Sequence, residues 1–115
     1  MSQSHYDCPC MEKCPLHHAM LLIGGKWKVQ IVCALTNAGQ LRYNALRGKL
    51  DGISNTVLAT ALRELEADGL VVRTVYPEVP VRVEYSPTDA CRELLPILEQ
   101  LSDWAEQRMK QEEHA

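Results

Sequence analysis

No run of apolar residues in this sequence is long enough to span a bilayer, which takes about 20 in a row. The opening stretch, MSQSHYDCPCMEKCP, lacks a charged segment followed by an apolar one, so it does not read as a secretory signal. A cytoplasmic protein without a membrane partner is expected. Internal repeats and low-complexity segments are missing too. So are a Gly-rich nucleotide loop, a helix with paired metal ligands and a nucleophile elbow. A thiol oxidoreductase would place Cys-x-x-Cys beside a βαβ unit, and neither is present. His17 and His18 have no obvious carboxylate neighbour. An enzyme is not expected, and no cofactor is implied.

What is present fits one domain of 115 residues with a modest core. The net charge of −3 argues weakly against a nucleic-acid partner, but its distribution does not. Residues 24–84 sum to +2, residues 85–115 to −4 and residues 1–23 to −1. A DNA-facing middle with an acidic tail directed elsewhere fits that split, and so does an ordinary fluctuation of charge.

The first dozen or so residues (1–13) read as a flexible arm, ahead of a single folded domain over 14–115. Pro15 to Ile23 reads as a short helix with Pro in its first turn and Gly24-Gly25 as its stop. Lys26 to Asn37 reads as a second helix, with Gly39 beyond its end. Leu41-Arg42 suits a very short strand, and Tyr43 to Leu50 a third helix. After the Asp51-Gly52 turn, Ser54 is a good N-cap, with Ile53 and Leu58 placed for a hydrophobic staple. The fourth helix runs to about Asp68, stops at Gly69 and buries Leu58, Leu62 and Leu65. Val71–Tyr76 and Val81–Ser86 form a hairpin around a Pro77-to-Pro80 tip. In that register Tyr76 faces Val81, Arg73 faces Glu84 and Val75 faces Arg82. Pro87-Thr88 opens a last helix to about Lys110, kinked by Pro96. The fold class is α+β, mainly α: a winged helix-turn-helix with a two-stranded wing and terminal dimerisation helices.

Such a fold reads double-stranded operator DNA with its second helix. The fourth helix sets Thr56, Thr60 and Arg63 opposite its leucine stripe, with Ala59 beside them. Its N-terminal end carries Ser54, Asn55 and Thr56, and that end meets base edges in helix-turn-helix proteins. Asn can pair bidentately with adenine, and hydroxyls can bond bases or phosphates. Arg63 suits phosphate. Arg82, just past the wing tip, can reach phosphate or the minor groove. Arg73 is better explained by an ion pair with Glu84. Arg42 and Arg47 flank the third helix and can hold the DNA backbone. Lys26 and Lys28 open the second helix against its dipole, by chance or because a phosphate lies near. On the last helix, an apolar stripe including Leu101 and Trp104 needs a partner. A symmetric homodimer would supply it and set two reading helices about one DNA turn apart.

Cys14-Pro15, IGGKWK at 23–28, LRYNALRGKLDGIS at 41–54 and LATALRELEADGLVVRTVYPEVPVRVEYSPT at 58–88 resemble the HxlR-type family of bacterial winged-helix regulators. The resemblance covers about residues 14 to 105. It implies a winged fold, a dimer built from terminal helices and repression or activation of nearby genes, with no catalytic activity. A repressor is the expected output. Some members of that family sense electrophiles, quinones or oxidants through a cysteine at the position of Cys14.

Cys8, Cys10 and Cys14 lie within seven residues. If Cys14 sits exposed at a helix N-terminus, the dipole lowers its thiol pKa and favours oxidation. Cys8, Cys10 or a partner-chain cysteine would then resolve it, and a small electrophile or oxidant would be the inducer. A metal-responsive regulator using Cys8, Cys10 and Cys14, with His17 and His18 near, is the rival reading, although the spacing is no standard zinc pattern. A winged helix that binds protein rather than DNA is a further alternative. Cys33 reads as core, and Cys91 as partly exposed.

Overall fold

The computed structural model describes residues 14–114. The predicted arm over 1–13, and with it Cys8 and Cys10, lies outside them. The elements run α1 (Pro15–Ile23), α2 (Lys28–Ala38), β1 (Leu41–Arg42), α3 (Tyr43–Gly48), α4 (Asn55–Ala67), β2 (Val71–Tyr76), β3 (Arg82–Pro87), α5 (Asp89–Arg92) and α6 (Leu94–His114). This is the mainly helical winged helix-turn-helix expected from the sequence.

Local chemistry accounts for the helix ends. Cys14 is the N-cap of α1, Pro15 fills its first position and Gly24 closes it. A Cβ on Gly24 would fall 2.2 Å from the Met20 carbonyl oxygen, so only glycine fits there. The helix α2 starts at Lys28, two residues later than the apolar pattern implies, because Gly24-Gly25 carry the chain through a turn first. In α4, Ser54 Oγ accepts a hydrogen bond from the Val57 N–H at 3.2 Å, which satisfies one of the orphan donors of the first turn. Ile53 and Leu58 are both buried, as a hydrophobic staple requires. Beyond the helix, Gly69 takes φ +79°, a left-handed conformation natural to glycine and awkward for other residues.

The core is aliphatic. Ile31, Val32 and Leu35 of α2 meet Leu46 of α3 and Leu58, Leu62 and Leu65 of α4, with Tyr85, Cys91 and Leu98 closing the far side. Cys91 is fully buried rather than partly exposed, because α5 turns it onto the core.

Two features depart from expectation. The sheet has three antiparallel strands in the order β1-β3-β2, so β3 is central and the wing is tied to the segment before α3. The hairpin register is also shifted by one residue: Tyr76 pairs with Arg82, Val75 with Val83, Thr74 with Glu84 and Arg73 with Tyr85. Val81 stays in the tip, next to Pro80, which has no N–H for the ladder. A one-residue slip turns every side chain of one strand to the opposite face relative to its neighbour.

The last helix is divided. Pro96 lacks an N–H and its ring crowds the carbonyl of residue 92, so the helix breaks at Glu93 and restarts at Leu94. Glu93 itself keeps helical angles, φ −63° and ψ −21°, so this interruption is the kink expected from Pro96, set one turn before it. Among the described residues, no single helix is long and apolar enough to cross a membrane.

Candidate nucleic-acid interface

Helices α3 and α4 form the helix-turn-helix, and the hairpin β2-β3 follows directly as the wing. Leu58, Leu62 and Leu65 hold one face of α4 in the core, which leaves Ser54, Asn55, Thr56 and Arg63 exposed and Thr60 half-buried. Thr60 and Arg63 are joined, with the guanidinium donating to Thr60 Oγ1 at 3.3 Å. On one flank of α4, Thr56, Val57 and Thr60 line a hollow of about 290 Å³ with Lys26, Trp27 and Lys28. On the other, Ala59 and Arg63 line one of about 370 Å³ with Arg73 and Tyr85.

The N-terminal end of α4 is braced from α3. The Tyr43 hydroxyl lies 3.2 Å from the Asn55 backbone oxygen and 3.2 Å from Asn55 Oδ1, and donates to them. Sequence periodicity carries no signal of this contact, because Tyr43 and Asn55 belong to different helices. A second brace comes from Lys28. Its ammonium meets Glu64 of α4 at 2.8 Å with the lysine side chain largely covered, so this charge is spent within the protein. Lys26 instead lies over the Trp27 ring, 4.7 Å from its centroid.

The wing arginine differs most from expectation. Arg82 is held by Glu78 at 2.8 Å and by Glu84, and its guanidinium stacks 3.7 Å above the Tyr76 ring. The observed register causes this: Tyr76 stands directly across from Arg82, and Glu84 lies two residues along the same face. Arg73, expected to pair with Glu84, faces Tyr85 and is exposed. Hydrogen bonding to Arg82 holds the Glu78 carboxyl below its ordinary pKa. The same bonds, with those to Glu84, push the Arg82 guanidinium further up. Glu84 is buried because β3 is central, with Arg42 of β1 across from it on one side and Thr74 of β2 on the other. Its Oε2 also faces Arg42 at 3.9 Å, while Oε1 is buried without a hydrogen-bond partner among the described residues. Arg42 remains mostly exposed.

The other candidates lie elsewhere. Cys14 caps α1 and is 5% exposed, so the expectation of an exposed thiol is corrected: the residue is buried. Burial pushes the Cys33 thiol up, and burial first, with Cys33 nearby, does the same to Cys91. No group of three or more His, Cys, Asp or Glu side chains placed to hold a metal occurs among the described residues. Leu101 and Trp104 stand on α6 with Ile97 and Met109, all more than half exposed.

A helix-turn-helix with an exposed outer helix, followed at once by a hairpin wing that β1 extends to a three-stranded sheet, defines a winged helix-turn-helix protein. The comparisons narrow this class. The family model for the HxlR-like helix-turn-helix matches residues 22–113, and the chain belongs to that family. It is 47% identical over 90 residues to the HTH-type transcriptional regulator BH0655 of Halalkalibacterium halodurans, covering 78% of this chain and 80% of that one. Among solved structures it is similar to the redox regulator HypR in its reduced form, with TM-score 0.80 and 40% identity over 88% of this chain and 99% of the other. The reduced form of the transcriptional regulator YodB from B. subtilis matches with TM-score 0.74 and 34% identity, over 82% and 92% of the two chains. The protein is an HTH-type transcriptional regulator, from a family of regulators and not of enzymes.

Proposed function

We propose that this regulator represses transcription by binding operator DNA as a homodimer, with the exposed N-terminal end of α4 in the major groove. The observation that carries the reading is the split of α4 into a fully buried leucine face and an outer face made of Asn55, Thr56, Ala59, Thr60 and Arg63. Such a face is small enough to approach base edges closely, and Ser54 and Asn55 stand at its leading end. Arg63 and Arg73, together on one flank of α4, and Arg42 beside the wing supply cations to the DNA backbone. Arg82 takes part by exchanging Glu78, its exposed partner, for a phosphate.

The dimer reading is supported by the stripe of Ile97, Leu101 and Trp104 along α6; Met109 of α6 and Leu16, Met20 and Leu21 of α1 are exposed apolar side chains as well. An apolar surface of this extent on a regulator matches a self-complementary interface. Thiol switching is supported by two observations: Cys14 stands at the N-cap of α1, and the similar structures include a redox regulator. Its burial makes the switch depend on exposure of the thiol, followed by oxidation by the inducer to a sulfenic acid or a disulfide with Cys8, Cys10 or a partner-chain cysteine.

A gel-shift assay on the protein's own upstream DNA, with and without diamide or a quinone, tests the reading. Salt-dependent binding that oxidant releases in the wild type but not in Cys14→Ser is expected. Binding to no duplex at low salt would overturn the DNA reading. An unchanged oxidant response in Cys14→Ser would overturn the switch.

A further inference from the structure

Asn55 is the side chain at the reading end of α4 with the richest hydrogen-bonding capacity, one acceptor oxygen and two N–H donors. Bidentate pairing with adenine uses both ends at once: Oδ1 accepts from N6 while Nδ2 donates to N7. That geometry requires both ends to be open. The acceptor end is already engaged: the Tyr43 hydroxyl, at the first position of α3, shares its one proton between Oδ1 and the Asn55 carbonyl oxygen, each at 3.2 Å, which occupies one of the two Oδ1 lone pairs and turns that oxygen toward α3. The Tyr43 ring is half-buried against the core, so its hydroxyl is presented from a fixed base.

We infer that Tyr43 is a specificity-determining positioning residue: by turning Asn55 Oδ1 toward α3, it leaves Nδ2–H as the end of the amide directed to a base edge. The inference rests on the reading of α4 as the recognition helix. Held this way, Asn55 offers Nδ2–H to an edge made of acceptors. Guanine N7 and O6, or thymine O4, satisfy it. Adenine offers N7 alone, and its N6 amino group finds no acceptor. The hydroxyl therefore selects against the base that an unconstrained asparagine prefers. It acts without touching DNA, through the orientation of a neighbour.

The experiment selects binding sites from a random-sequence duplex library for the wild type, Tyr43→Phe and Asn55→Ala, then measures affinities on the selected duplex with each base pair varied singly. Tyr43→Phe keeps the ring in the core and removes only the hydroxyl. At one base pair, the wild type is expected to favour guanine or thymine. Tyr43→Phe should shift the adenine-to-guanine preference there by about tenfold toward adenine. Asn55→Ala should erase the preference at that pair, and the salt slope should stay the same in all three. Ratios unchanged in Tyr43→Phe, or a loss equal at every base pair, would overturn the proposal, since a merely structural role lowers all affinities together. So would a wild-type preference for adenine that depends on its N6 amino group, or for cytosine. If Asn55→Ala changes no ratio, or the wild type selects no consensus, the recognition-helix reading itself fails and this inference with it.

Discussion

Arg82 carries a positive charge, yet it stands between Glu78 and Glu84 over an aromatic ring, so the wing presents less free charge than its composition implies. Glu78 is the exposed member of this clasp and the one a phosphate would replace. Glu78→Gln should strengthen DNA binding and steepen its salt dependence, by up to about one unit in the slope of log K against log salt, read by titration at several salt concentrations. The same contact sets a pH dependence. The Glu78 pKa is lowered in the folded state, so the clasp's contribution is complete above the ordinary carboxylate value and fades as pH falls through the lower folded one. An NMR titration should place the Glu78 midpoint below that of an unpaired glutamate, and Arg82→Gln should return it upward. Cys33 and Cys91 behave in the opposite way: burial keeps their thiols protonated at neutral pH. Iodoacetamide should modify both slowly in the native protein and quickly in urea, as mass spectrometry would show.

At the scale of elements, α4 is the hub. Its N-terminus is capped by Ser54 and braced by Tyr43, its middle is strapped to α2 through Lys28 and Glu64, and its far end is tied to α5. That last tie is made by Thr88, whose hydroxyl donates to the Gly69 carbonyl at 2.7 Å and accepts from the Cys91 N–H at 3.2 Å. One side chain thus caps α5 and pins the exit of α4, which links the reading helix to the base of α6. Ser54→Ala should cost about 1 kcal/mol of stability through the lost cap, measured by urea denaturation. Leu65→Ala, at a fully buried position of the same helix, should cost about 3 kcal/mol by transfer loss and cavity formation.

At the scale of the molecule, α6 carries exposed apolar residues outside the core, Ile97, Leu101 and Trp104, which the dimer reading assigns to assembly. Replacing Trp104 or Leu101 with Glu should leave the fold intact, because both are exposed, and should yield monomers in sedimentation velocity. Such variants should bind a full operator far more weakly than the wild type, because two half-sites are no longer engaged together.

Much of this architecture was legible along the chain. Capping chemistry, glycine stops and the leucine spacing of 58, 62 and 65 are local or periodic, so they placed the helices, the turn between α3 and α4 and the outward face of α4. Proline chemistry at Pro96 marked the region of the break between α5 and α6, and Leu101 and Trp104 stood out because a helix with two apolar stripes has more to cover than one core supplies. What only the tertiary structure decided depends on contacts between segments far apart in sequence. The hairpin register turned on a single residue at the tip, and with it Arg73 lost Glu84 while Arg82 gained both carboxylates and a ring. Pairing with β1 made β3 central and buried Glu84. Packing of α5 onto the core buried Cys91, and Cys14 is buried at the start of α1. The composition of the outer face of α4 was legible in the sequence, because helical spacing sets it opposite the leucines. The contact of the Tyr43 hydroxyl with Asn55 was decided by tertiary structure, since no spacing rule connects the two residues.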